Sequence, residues 1–114
     1  MIRLQVCVLL LLICLAVSQA ARQRRRICRE RGRVKGPCDA SKIRWSFNQK
    51  TGRCIPFIYG GCGGTRNRFP TCCECFRRCT GYYTRKNSRT CHKLLENQLA
   101  KLRAKGHRIQ RRRE

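Results

Sequence analysis

Residues 57–69, FIYGGCGGTRNRF, set the architecture of this chain more than any other segment. An aromatic and β-branched run leads directly into four glycines that surround Cys62. The glycine cluster is not a phosphate-binding loop, because it lacks the lysine and the strand-to-helix context that such loops need. The segment therefore indicates a structural role, and the runs and cysteines on either side of it carry the rest of the prediction.

Two strand-like runs and a polar turn lie around the start of this segment. Residues 43–47 and 54–59 are rich in β-branched and aromatic side chains, and residues 48–52 between them end in a glycine. Two such runs around a glycine-containing turn predict a β-hairpin. Because side chains alternate along a strand, one face of the first strand carries three large apolar residues, namely Ile43, Trp45 and Phe47.

Cysteine content places the chain among small cross-linked proteins. Eleven cysteines in 114 residues are typical of short secreted scaffolds and rare in reducing compartments. The length allows one small domain with extensions and excludes a large enzyme. Residues 72–79 lack glycine and proline, and they place Cys75 and Cys79 on one face of a predicted short helix. With few aromatic residues, the domain needs covalent cross-links for much of its stability.

The first twenty residues have the organisation of a signal peptide. One positive charge, Arg3, precedes an apolar run over residues 6–17, and Ser18-Gln19-Ala20 offers small residues for cleavage. The run of about 12 apolar residues is short of the roughly 20 that cross a bilayer. We expect residues 1–20 to be removed and the remaining chain to be secreted to the extracellular space, where disulfides persist.

Six cysteines are spaced in a pattern that resembles the Kunitz family of protease inhibitors. They are separated by 9, 15, 7, 12 and 3 residues; the last four gaps are those of the family, and the first is one residue longer. Residues 57–69 are also close to the family signature. The resemblance covers residues 28–79 and implies a small disulfide-rich α+β fold with a twisted β-hairpin and a short C-terminal helix. A basic arm, residues 21–27, and a basic tail, residues 80–114, lie outside it.

The resemblance also implies how the six cysteines pair. The expected bridges are Cys28–Cys79, Cys38–Cys62 and Cys54–Cys75. The first would close a loop of about 50 residues, a constraint worth roughly 4 kcal/mol in the chain-entropy account of disulfide stability. That is a large share of what a core of this size supplies.

Three cysteines beyond residue 20 are left over. On a helix Cys72 lies near the packed face with Cys75, whereas Cys73 points away from it. An outward Cys73 is better placed to meet the tail, so we predict a Cys73–Cys91 bridge, with Cys72–Cys91 as the alternative. The remaining thiol stays unpaired or links two chains in a dimer. A metal site among these cysteines is disfavoured, because only one C-x-x-C pair is present, and we expect no cofactor.

In the resembled family a rigid, substrate-like loop blocks a serine protease, and the residue after the loop cysteine enters the primary specificity pocket. Here that residue is Asp39. Its carboxylate would meet the acidic pocket of a trypsin-like enzyme, and stripping water from an unpaired carboxylate costs several kcal/mol. The loop therefore favours a protease that prefers acidic residues. The expected contact residues are Gly36, Pro37, Cys38, Asp39, Ala40, Ser41, Lys42, Cys62 and Gly63.

No catalytic set accompanies this loop. The two histidines, His92 and His107, lie in the tail, outside the region that could hold three catalytic groups in place, so we expect no enzyme activity. The alternative to an inhibitor is a binding module of another class. It would be a non-inhibitory effector or toxin on a Kunitz scaffold that acts on an ion channel, receptor or polyanion through its basic surface.

The charge of the chain points to an anionic partner. A formal net charge of +23 far exceeds what solubility needs, and secretion favours heparin-like glycosaminoglycans or an anionic membrane surface over nucleic acid. The spacing of Leu95, Leu99 and Leu102 predicts a helix with one apolar stripe, which either docks on the domain or lies on an anionic surface. The residues expected to bind a polyanion are Arg22, Arg24, Arg25, Arg26, Lys101, Arg103, Lys105, Arg108, Arg111, Arg112 and Arg113.

Overall fold

A computed structural model describes residues 1–106 of the chain. Within this range it contains three helices and one two-stranded antiparallel sheet. In chain order the elements are α1 (Ile2–Arg29), β1 (Lys42–Asn48), β2 (Arg53–Tyr59), α2 (Cys72–Thr80) and α3 (Arg85–Ala104). The small disulfide-rich α+β fold that the sequence predicts is confirmed.

The hairpin follows the predicted runs with one residue added at most ends. β1 and β2 pair from Lys42 opposite Tyr59 to Asn48 opposite Arg53. The connecting turn closes where the amide of Gly52 donates to the carbonyl of Asn48 at 2.8 Å, and Gly52 adopts a φ of 65°, a conformation that favours glycine. The hairpin therefore has an open end at Lys42 and Tyr59 and a turn end at residues 49–52.

The main core cluster combines aromatic rings with half-cystines. Trp45 is 1% exposed, and its amide and carbonyl exchange hydrogen bonds of 2.8 and 2.7 Å with the backbone of Phe69. This pairing holds the segment before α2 against β1. The buried members of the cluster are Cys28, Trp45, Cys54, Phe69, Cys72, Cys75, Phe76 and Cys91. Sulfur cross-links thus occupy interior volume that side-chain packing fills in larger domains.

Three disulfides join the pairs that the family resemblance implies. Cys28–Cys79 ties the last turn of α1 to the last turn of α2. Cys38–Cys62 links the segment before β1 to the segment after β2, and Cys54–Cys75 fastens β2 to α2. Their Cα–Cα distances of 5.7, 5.6 and 6.2 Å lie in the usual range for disulfides.

The fourth disulfide joins Cys72, rather than Cys73, to Cys91, so the predicted Cys73–Cys91 bridge is wrong and its alternative is the one formed. Cys73 would meet a tail that lay on the outer side of α2. The tail instead forms a helix that packs against the core, and it therefore meets the inner face of α2. Cys72 is fully buried there, whereas Cys73 is only partly buried and carries a free thiol.

Helix α3 docks on the open end of the hairpin. It begins at Arg85, where the hydroxyl of Thr84 caps it by accepting from the amide of Asn87 at 3.1 Å. Its apolar stripe is buried and makes a second core cluster with β1 and β2, formed by Ile43, Leu99 and Leu102 with Ile58 and Leu95 beside them. The docked arrangement of the stripe is therefore the one that the structure adopts.

Helix α1 is continuous from Ile2 through the predicted cleavage point to Arg29. Its apolar side chains up to Val17 are exposed, and only its last turns contact the domain, through Ile27 and Cys28. Within the described residues, α1 is long and apolar enough to cross a membrane. A signal sequence near the N-terminus of a protein can be equally long and apolar.

Asn67 is a buried polar side chain with every hydrogen-bonding group used. It is 1% exposed, and its Oδ1 accepts from the amide of Phe47 at 2.8 Å. Its Nδ2 donates to the carbonyls of Phe47 and Glu30, each at 2.9 Å. One side chain thereby fastens the hairpin to the segment that follows α1.

Replacing Asn67 should destabilise the domain more than an ordinary surface change. Asn67→Ala leaves the partly buried amide and carbonyl of Phe47 without their partner, and each polar group left unsatisfied in the interior costs about 1–3 kcal/mol. We expect the free energy of unfolding, measured by denaturant titration with the disulfides intact, to fall by at least 2 kcal/mol. The control is Asn97→Ala on the exposed side of α3, which should change it by under about 0.5 kcal/mol. Equal small effects of both variants would contradict this role.

Candidate functional site

The expected contact loop, residues 36–42, lies at the open end of the hairpin, where it leads directly into β1. Pro37, Cys38 and Asp39 are exposed, and Ala40 is half-buried. The side chain of Asp39 is fully exposed. Its carboxylate is 4.0 Å from the ammonium of Lys35, which is itself more than half exposed, so this surface pair contributes little to stability. The structure therefore presents Asp39 outward, free of any buried contact.

Backbone contacts hold the loop on both sides of Asp39. The Cys38–Cys62 disulfide fixes the residue before it. The amide of Ala40, the residue after it, donates to the carbonyl of Gly60 at 2.9 Å. Gly60 in turn donates its own amide to the carbonyl of Lys35 at 2.9 Å. Three attachments within six residues thus fix the loop to the segment that leaves β2.

Glycines make this close approach feasible. A Cβ atom on Gly36 would lie 2.0 Å from the carbonyl oxygen of Cys62, and one on Gly60 would lie 2.1 Å from that of Cys38. Gly36 also has a φ of 77°, which residues with a side chain rarely adopt. Any side chain at either position would push the two segments apart. Gly36 and Gly60 therefore allow the loop to lie directly against the segment that leaves β2.

The glycine segment is anchored in turn by β2. The carbonyl of Gly63 accepts from the Tyr59 hydroxyl at 3.0 Å and from the Arg68 guanidinium at 2.8 Å. The guanidinium carbon lies 3.9 Å from the centroid of the Tyr59 ring, a cation–π geometry. Sequence reasoning missed both supporting residues. Tyr59 and Arg68 belong to the signature segment, but nothing in the sequence indicates that they meet over Gly63.

The lengthened first gap is accommodated away from the loop tip. Within it, Arg33 has a φ of 57°, the one positive value at a non-glycine residue in the described part of the chain. The start of the gap is fixed by Glu30, whose carboxylate accepts from the Nε and the backbone amide of Arg66, each at 2.8 Å. These hydrogen bonds lower the pKa of Glu30 below its usual value, the one from the guanidinium most. The added residue therefore leaves the contacts of Gly36 and Gly60 intact.

Among residues 1–106, those expected to bind a polyanion lie on α1 and at the end of α3. Arg22, Arg24, Arg25 and Arg26 are exposed on α1, which enters the domain beside the turn end of the hairpin, where Cys28 and residues 46–50 line one groove. Lys101, Arg103 and Lys105 are exposed at the end of α3, which packs on the open end. The other expected residues lie outside the described range, as does His107; they are Arg108, Arg111, Arg112 and Arg113.

Comparison with known proteins agrees with the cysteine spacing and the fold. Residues 27–80 match the model of the Kunitz/bovine pancreatic trypsin inhibitor domain. The chain is 49% identical over 53 residues to chymotrypsin inhibitor SCI-II of Bombyx mori, covering 46% of this chain and 86% of that protein. It is 51% identical over 53 residues to PI-stichotoxin-Hcr2o of Radianthus crispa, covering 46% of this chain and 93% of the toxin.

A third relative is a larger protein. The chain is 58% identical over 48 residues to BPTI/Kunitz domain-containing protein 2 of Margaritifera margaritifera, and the match covers 42% of this chain but only 33% of that protein. The similarity is thus confined to the disulfide-bonded domain. Two small relatives are matched over most of their length, and the family model matches the disulfide-bonded domain. The chain therefore belongs to the Kunitz/bovine pancreatic trypsin inhibitor family.

Proposed function

We propose that the chain is a secreted serine protease inhibitor that presents residues 36–42, with Cys62 and Gly63 beside them, as a substrate-like loop. The observation that carries this proposal is the fully exposed side chain of Asp39 between two fixed neighbours, Cys38 and Ala40. A loop that is already rigid loses little conformational entropy on docking. The relative from Bombyx mori, which is named as a chymotrypsin inhibitor, supports a protease as the partner.

The same attachments explain how such a loop would block an enzyme that can cut it. The bond at risk is the one between Asp39 and Ala40. If it is cleaved, the new carboxyl end stays tied through the Cys38–Cys62 disulfide, and the new amine stays hydrogen-bonded to Gly60. The two ends cannot diffuse apart, so rejoining competes with release. The protease therefore stays bound to the loop, because it can cleave the Asp39–Ala40 bond but cannot release the two ends.

Asp39 defines the chemistry of the target. Docking removes water from the carboxylate of Asp39. Within the inhibitor, the only nearby cation that the structure pairs with it among residues 1–106 is the exposed ammonium of Lys35. An acidic pocket would repel the carboxylate and an apolar one would leave it unpaired, each at a cost of several kcal/mol. A pocket with an arginine or lysine at its floor would pair with it directly. We therefore assign the target to serine proteases that prefer acidic residues.

A non-inhibitory effector is the second candidate. The likeness to a protein named as a stichotoxin, over nearly its whole length, favours it, as does the departure of Asp39 from what trypsin-like and chymotrypsin-like pockets accept. In this role the scaffold would act on an ion channel or receptor through its basic surface. Neither candidate involves catalysis by the chain.

The exposed apolar part of α1 supports secretion. Its side chains up to Val17 find no partner among residues 1–106, and exposing them to water is unfavourable. We propose that residues 1–20 are a signal peptide, followed by the basic arm, the Kunitz domain at 28–79 and the basic tail. When the chain is expressed in eukaryotic cells, the N-terminal peptide in the medium should begin at Ala21. Retention of intact Met1 in the membrane fraction would contradict this.

A charge reversal at position 39 should redirect the loop to trypsin. In Asp39→Lys the repelled carboxylate is replaced by the cation that an acidic pocket binds. Because every 1.4 kcal/mol is a factor of ten in affinity, we expect trypsin inhibition to strengthen by at least about a thousandfold. The native chain should instead inhibit proteases that prefer acidic residues. Inhibition constants over a broad serine protease panel measure both effects.

The matched control is Glu74→Lys, which makes the same charge change on an exposed face of α2 and should leave every inhibition constant within about twofold. If neither the native chain nor Asp39→Lys inhibits any protease in the panel, the loop is not an inhibitory loop. The effector candidate then stands in its place.

A further inference from the structure

We propose that the ends of the three helices form a binding site for a sulfated polysaccharide. This site goes beyond the inhibitory loop and does not depend on it, and five of its six residues, all except Arg26, are ones that the charge pattern alone did not single out. It consists of six basic residues, two from each helix, which we call the helix-end patch: Arg26, Arg29, Arg77, Arg78, Arg85 and Lys86.

Covalent and packing contacts bring these helix ends together. The Cys28–Cys79 disulfide holds the last turns of α1 and α2 with 5.7 Å between the two Cα atoms. Four residues, 81–84, separate the end of α2 from the start of α3. The linker is folded back where the ring of Tyr83 packs on that of Phe76, with 6.1 Å between centroids. The end of α1 and the start of α3 are therefore each held beside the end of α2, whereas α1 and α3 make no direct contact in the described part of the chain.

The cations in the patch have no counter-charge within the described residues. All six side chains are exposed, and none forms an ion pair; Glu74, one turn back on α2, lies within bonding distance of neither neighbouring arginine. At the ends of α1 and α2, basic residues also complement the helix dipole. That explanation fails for Arg85 and Lys86, because they occupy the first turn of α3, where the dipole favours acids and none is present.

The chemistry of the patch selects the ligand. Five of its six residues are arginines, whose planar guanidinium groups pair with oxyanions through two parallel hydrogen bonds. Several such groups close together fit a chain of closely spaced anionic groups better than a single anion. Four disulfides place the folded chain in an oxidising compartment. The polyanions met there are chiefly sulfated polysaccharides, so we commit to these rather than to nucleic acid or lipid.

The patch lies away from the inhibitory loop. Asn67 contacts the carbonyls of both Cys28 and Phe47, which places the end of α1 level with Phe47 on β1. Phe47 is five residues along the strand from Lys42, or about 17 Å, and Asp39 lies beyond that. A polysaccharide on the patch therefore leaves the loop accessible, and the two ligands bind at the same time. At the other end of α3, Lys101 lies roughly 24 Å from Arg85 along the helix axis.

Heparin binding by charge variants tests the assignment. The probe is heparin, used as a column and as a short oligosaccharide in titration calorimetry. Arg77→Gln/Arg78→Gln and Arg85→Gln/Lys86→Gln remove two charges each from the patch, and Lys101→Gln/Arg103→Gln removes two at the far end of α3. We expect the Kd for the oligosaccharide to rise at least about tenfold for each patch variant and less than threefold for the far-end variant, so the comparison decides between the patch and the sequence-based expectation that Lys101 and Arg103 bind the polyanion. The Arg85→Gln/Lys86→Gln variant should fold at least as stably as the native chain, since it removes cations from the first turn of α3, so its lost binding cannot be attributed to unfolding.

Three results would overturn the proposal. The first is equal loss of binding in patch and far-end variants, which would mean that only net charge matters. The second is elution of the native chain from heparin at or below about physiological salt. The third is equal competition by duplex DNA or by phosphatidylserine vesicles at matched charge. Asp39→Lys should bind heparin as the native chain does, so failure of the inhibitor proposal and failure of this one are separable.

Discussion

The close approach of two backbone segments, residues 36–38 and 60–62, is the constraint on which the functional part of this molecule depends. The Cys62 carbonyl oxygen lies where a side chain on Gly36 would begin, and the Cys38 carbonyl oxygen lies where one on Gly60 would begin. The Cys38–Cys62 disulfide and the hydrogen bond from Ala40 to Gly60 then keep the segments together. Because both neighbours of Asp39 are fixed in this way, its side chain is presented to solvent from a rigid support.

The rest of the domain holds these two segments in place with a small apolar core. Half-cystines fill the interior beside three large aromatic residues, Trp45, Phe69 and Phe76. The side chain of Asn67 hydrogen-bonds to the amide and the carbonyl of Phe47 and to the carbonyl of Glu30, and so joins β1 to the residue that follows α1. The Cys72–Cys91 disulfide attaches α3 to this core, and the leucine stripe of α3 adds a second small cluster over the open end of the hairpin. The tail is thereby part of the folded unit as far as Ala104.

Much of this arrangement could be predicted from the sequence, because it follows from local pattern and cysteine spacing. The runs on either side of residues 48–52 gave the hairpin, and the resemblance gave the three pairings. The partner of Cys91 could not be predicted in the same way. A helical projection gives the face on which Cys72 lies, but the side from which α3 approaches depends on tertiary packing. The contact of Arg68 with Tyr59 and the packing of Tyr83 on Phe76 likewise join residues that no local pattern relates.

The disulfide map of the unreduced, secreted chain tests the central claim most directly. Proteolysis and mass spectrometry, with free thiols alkylated beforehand, should find Cys38 joined to Cys62 and Cys72 joined to Cys91, with Cys73 carrying the alkyl group. Cys38 joined to any other cysteine would contradict the account, because the support for Asp39 would then be absent.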